Sequence, residues 1–117
     1  MNLIHSTMPP PMPILVTTTE AVAGRQITTT LGTVTGSVVW SKHLGRDIMA
    51  GLKTLVGGEI RGYTEMLVEA RGVATQRMID QARSMGADAI LCCRFSTSSV
   101  MQGMSEVVAY GTAVKLG

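Results

Sequence analysis

Aromatic residues are scarce, with one Trp, two Tyr and one Phe in 117 residues. Trp40, Tyr63, Phe95 and Tyr110 lie far apart in the sequence, so no row of rings interleaved with basic residues is available to stack on single-stranded nucleic acid. Charge is sparse too. Ten Lys and Arg against eight Asp and Glu leave a formal net charge of +2, too small and too scattered for a phosphate-binding surface, and nucleic acid is not an expected partner. No run approaches the roughly 18 apolar residues that a membrane span needs. Met1 to Pro13 has neither the basic start nor the apolar block of a signal peptide, so a cytoplasmic location without a membrane partner is expected. The two cysteines are adjacent, Cys92 and Cys93. They form no spaced disulfide framework, and a reducing compartment keeps them as thiols. The two histidines, His5 and His43, belong to no recognisable set of nucleophile, base and orienter, so no catalytic residue is assigned.

What the chain does have is 45% hydrophobic content, with Thr, Val, Ala, Gly and Met plentiful. Small and β-branched side chains suit close sheet packing and subunit contacts. The length suits a single domain that buries a core without staples. Residues 1–13 end in Met8-Pro9-Pro10-Pro11-Met12-Pro13, which cannot supply a continuous backbone ladder and reads as an extended arm. The domain proper runs from 14 to 117. Ile14 to Thr18 is a short strand by its β-branched content, and Glu20 to Gln26 a connection. In the next strand Ile27, Thr29 and Leu31 set one parity and Val34, Gly36, Val38 and Trp40 the other, so a bulge is expected near Gly32.

Two helices follow. Ser41 can cap the first, which carries Leu44, Ile48, Leu52, Leu55 and Val56 on one face and stops at Gly57-Gly58. The second, Glu59 to Met85, buries Ile60, Tyr63, Leu67, Ala70, Ala74, Met78, Ala82 and Met85 in one stripe and shows Glu65, Glu69, Gln76, Asp80 and Arg83 to water. A projection at 100° per residue places Arg71 inside that stripe. A charged guanidinium there needs a carboxylate, carbonyls or an anionic ligand, and Glu59, Asp88 and Glu106 are the available partners. Two strands close the chain, Ala89 to Thr97 and Glu106 to Leu116, joined as a hairpin through Ser98 to Ser105 with Gly103 in the turn. Val108, Tyr110, Thr112, Val114 and Leu116 take one face of the last strand. The smaller face, Val107, Ala109, Gly111 and Ala113, suits burial against another subunit. The pattern is α+β, a mostly antiparallel sheet with two helices inserted between strands.

The run Gly57-Gly58-Glu59, the Tyr63 to Arg71 helix, the Met85-Gly86-Ala87-Asp88-Ala89 segment, Arg94-Phe95, and Glu106 followed by Ala109-Tyr110-Gly111-Thr112-Ala113-Val114 together resemble the YbjQ-like family of small bacterial and archaeal proteins of unknown function. The resemblance covers roughly Ile14 to Leu116. It implies a dodecin-subunit-like α+β fold whose subunits assemble into a ring, a pentamer, and it brings a heavy-metal-binding label. The chain departs from the family at Cys92-Cys93, where Val or Gly is more usual, and at Ser96, where Asp is common. The arm lies outside the family pattern.

The candidate sites follow from these residues. Successive strand side chains point to opposite faces, so Cys92 and Cys93 do not jointly grip one ion without a local distortion of the strand. In a ring, one Cys per subunit brought to an axis or interface supplies several soft ligands, which suits zinc or copper(I). Without such a site, both thiols are small packed hydrophobes. Gly58, Glu59, Tyr63 and Arg71 form the candidate ligand set. Free N–H groups at the helix start suit an anion there, although no Walker or Rossmann spacing surrounds the glycines. The reading is a non-enzymatic cytoplasmic homo-oligomer that binds a heavy-metal ion or small ligand at subunit interfaces. The alternatives are an oligomer that serves only as an assembly scaffold, a small enzyme dependent on Cys92, with His43 or Arg94 as its positive neighbour and Arg94 on the same face, and an interaction module that uses the proline arm.

Overall fold

The structure, a computed structural model, describes residues 12–41 and 59–117, with side chains in the helix from Glu65 onward. Four strands and one helix run in the order β1 (Leu15–Val16), β2 (Ile27–Ser41), α1 (Glu59–Ser84), β3 (Ala89–Met101) and β4 (Met104–Leu116). The strands form one sheet in the order β1-β3-β4-β2. β2 and β3 flank β4 antiparallel, and the short β1 runs parallel to β3 through Leu15↔Ala89 and Val16↔Ile90. This is the expected α+β class. Ser41, the expected cap of a first helix, ends β2, and the rest of that helix up to Val56 lies outside the described residues, as does the arm up to Pro11.

α1 is held by one row of side chains. Met66, Ala70, Ala74, Met78 and Ala82, four residues apart, are its buried positions. From Ala70 onward the row packs on Val34 of β2, Ile90 and Cys93 of β3, and Val107, Ala109 and Ala113 of β4. Residues four apart stack along one helix face, and where they are alanines the helix backbone can sit close to the sheet. At Gly36 it does so without any side chain between: a Cβ built there would run into the Ala74 carbonyl and the Met78 amide. A seat this narrow corrects the projected stripe at two places. Leu67 is 37% exposed while Met66 is buried, and Arg71 is exposed. Only one row faces the sheet, and Arg71, one residue past Ala70, falls beside it. Arg71 therefore carries no burial penalty. Glu65, Glu69, Gln76, Asp80 and Arg83 face water as expected.

α1 stops where its sequence says it should. Gly86, at φ 78, takes the left-handed conformation that a side chain resists. Ala87 N–H then donates to Ala82 O at 3.1 Å and Gly86 N–H to Arg83 O at 3.0 Å, which is the Schellman closure of a helix end.

The strands are longer at one end and shorter at the other than their composition suggests. β1 covers only Leu15–Val16. The β3–β4 hairpin extends to Met101↔Met104 around a turn at Gln102-Gly103, so Ser98 to Ser105 is mostly strand. β2 shifts register between Thr30 and Gly32, where the change of face is expected, and Gly32 at φ 130 takes it up. The small face of β4 is corrected in its partner. Val107, Ala109 and Ala113 are buried against α1 of the same chain, since the alanine row leaves just enough room for small residues.

Candidate functional site

The two thiols sit at a second irregularity. Leu91 pairs with Thr112 and Arg94 with Tyr110, so Cys92 and Cys93 together stand opposite Gly111. Two residues against one is a bulge, and Cys92 pays for it with φ 54, the one non-glycine residue at positive φ among the described residues. Gly111 is what lets the bulge fit. A Cβ there would lie 2.6 Å from Ile90 Cγ2 and 2.9 Å from Leu91 O. The chain after β1 covers the outside of the bulge. Thr17 N–H donates to Ile90 O at 2.9 Å, Cys92 N–H to Thr19 O at 3.0 Å and Cys93 N–H to Thr17 O at 2.9 Å. Arg94 closes this contact, its Nη1 donating to Cys93 O at 2.9 Å and to Thr18 O at 3.2 Å.

The bulge sends the thiols to different clusters. Cys93 is buried in the core under α1. Cys92 packs with Ala89, Leu91 and Val114 in a second cluster, partly exposed, and its Sγ lies 3.7 Å from Thr19 O. The strand is distorted here, so plain alternation does not decide where the two thiols point, and their separation rests on the two clusters. Burial pushes the Cys93 thiol above its ordinary value of 9.0, and the neighbouring Arg94 guanidinium opposes this in part. Arg94 is thus an electrostatic neighbour of Cys93. Because the folded state holds the Cys93 proton more tightly than the unfolded chain does, that contribution to stability is intact below 9.0 and is lost as pH rises above it. Iodoacetamide at pH 7.5 is therefore expected to label native Cys93 at least about tenfold more slowly than the unfolded chain, since the thiolate is the nucleophile. Equal rates in peptide mapping would show that the thiol is neither buried nor shifted.

No group of three or more His, Cys, Asp and Glu stands together among the described residues, and His5 and His43 lie outside them. Of the candidate ligand set, Gly58 lies outside the described residues and Glu59 and Tyr63 are placed only as backbone at the start of α1, with Arg71 exposed further along it. The carboxylate of Asp88, one expected partner for Arg71, instead accepts the Leu116 N–H at 2.9 Å. Sequence reasoning missed the left-handed Cys92. A signal was present, since Gly111 interrupts β4 directly opposite a doubled residue.

A family profile described as "Putative heavy-metal-binding" matches residues 14–117. A UPF0145 protein of Photobacterium profundum is 66% identical over 103 residues, covering 88% of this chain and all of the relative. A UPF0145 protein of Thermotoga maritima is 57% identical, covering 88% of this chain and 97% of its own. Among solved structures, a protein of unknown function from the DUF74 family of Pediococcus pentosaceus superposes with a TM-score of 0.60 at 19% identity, over 89% of this chain and 98% of that one. That likeness speaks for the fold alone.

Proposed function

This chain belongs to the YbjQ-like family, and from that premise we propose that it is a cytoplasmic, non-enzymatic homo-oligomer, a pentameric ring, that binds a soft metal ion at its subunit interfaces. The observation that carries this reading is the placement of Cys92. It is a partly exposed thiol on the sheet face away from α1, with no set of three ligands around it among the described residues. One thiol per chain makes a site only when several copies meet, and thiolates gathered in that way select copper(I) or zinc. Cys93, under the helix with its proton held, serves packing. A small anion is the second ligand considered. The start of α1, with Gly58, Glu59 and Tyr63, offers backbone N–H groups, and the exposure of Arg71 leaves a guanidinium open to solvent on the same helix.

Native mass spectrometry of the reduced protein, before and after addition of zinc or copper(I), tests the metal reading. A ring that takes up metal in a fixed ratio to its subunits is expected, with uptake lost in Cys92→Ser and kept in Cys93→Ser. A ring whose mass no metal changes, or a Cys92→Ser variant that titrates like the parent, would sink it.

A further inference from the structure

The sheet has two edges, and the molecule treats them differently. Along β2 the outward backbone is capped by α1. Thr35 N–H donates to Gln81 Oε1 at 2.7 Å, and Ser37 O accepts from Arg77 Nη1 at 2.6 Å. Side chains that reach around an edge in this way block strand addition at its centre. At the other edge, β3 is covered only as far as its bulge. The chain from Leu15 to Thr19 pairs with Ala89 to Cys93, and Arg94 ends that contact by bonding Thr18 O. From Phe95 to Met101, β3 has β4 on one side and no strand among the described residues on the other.

That stretch has the features that natural edges avoid. Cys93 N–H points to the outer side, so by strict alternation the N–H and C=O of Phe95, Thr97 and Ser99 point outward as well. No Lys, Asp, Glu or Pro occurs from Phe95 to Met101, the residues that ordinarily discourage pairing. Phe95, Val100 and Met101 are 48%, 55% and 60% exposed. An edge without charge is complementary to a strand without charge, because a charged strand would be desolvated with nothing to pair its charges. The uncharged strands always present at equal concentration are those of another copy of this chain.

We propose that the β3 edge from Phe95 to Met101 is the docking site for an uncharged strand of a second copy, joined through the outward backbone groups of Phe95, Thr97 and Ser99. The inference rests on the homo-oligomer reading and names the surface that reading needs. α1, through Arg77 and Gln81, bars only the centre of β2 from the same use.

Two substitutions test it, read by native mass spectrometry and light scattering of the full chain. Thr97→Pro removes an outward donor that makes no bond to β4, so the fold keeps its ladder. Ser99→Lys leaves the backbone intact and places a charge beside the edge. Each variant is expected to retain the parent's circular dichroism and to weaken self-association by about a hundredfold, which is two decades in Kd. If Thr97→Pro lowers the helical signal, Ser99→Lys decides. A parent that assembles while both folded variants assemble equally well overturns the inference and leaves the oligomer reading standing. A parent that is monomeric at every concentration overturns both.

Discussion

Gly36→Ala is expected to destabilise the protein by about 3 kcal/mol, the upper end of what overpacking a well-filled interior usually costs. The added methyl would meet the Ala74 carbonyl and the Met78 amide. These are backbone atoms in the middle of a helix, and no rotamer change moves them aside. Relief requires lifting α1 from β2, which would loosen the packing of Val34, Ala74 and Met78 and pull Gln81 away from the Thr35 N–H. Urea unfolding followed by the fluorescence of Trp40, the single tryptophan, measures the cost. A midpoint within error of the parent would show that helix and sheet do not approach as closely as the geometry has them.

Met78→Ala should cost about 2–5 kcal/mol, because deleting a fully buried side chain loses its transfer free energy and leaves a cavity. Met78 is the largest completely buried side chain among the described residues, and it stands in the middle of the alanine row. Its neighbours along α1, Ala74 and Ala82, have nothing to extend into the gap, so the hole stays open and the cost belongs to the upper part of that range. Leu67→Ala is the internal control. Leu67 is about three turns away on the same helix and 37% exposed, and its truncation should stay within about 0.5 kcal/mol. Equal losses at the two positions in thermal unfolding would restore the broad stripe that includes Leu67.

What was legible in the sequence depended on how local the cause was. The change of parity between Leu31 and Val34 announced the Gly32 bulge, and Met85-Gly86 announced the end of α1, because both are set by neighbouring residues. The family resemblance rested on motifs spread over most of the chain and is supported by a match over residues 14–117. Arg71 was misplaced because an ideal projection assumes a broad buried face, whereas Gly36 and the alanines narrow the contact to a single row. That narrowing belongs to two elements far apart in sequence, and neither shows it alone. The Cys92 bulge was hidden for the same reason, since its cause is the absence of a Cβ at Gly111 on the next strand. The assignment of Val107, Ala109 and Ala113 to another subunit failed on the identity of the partner. Their size was read correctly, but the small surface that receives them is the chain's own helix.

The pairing of β2 with β4 also dictates an order of events during folding. β3 and β4 are joined by Gln102 and Gly103 alone, whereas β2 pairs with β4 from Ile27↔Leu116 to Ser41↔Met104 across everything between. Closing that loop costs chain entropy before any bond rewards it, so the hairpin closes early and β2 arrives late. A chain released in that order shows a bare β4 flank to its surroundings until its own first long strand returns to cover it.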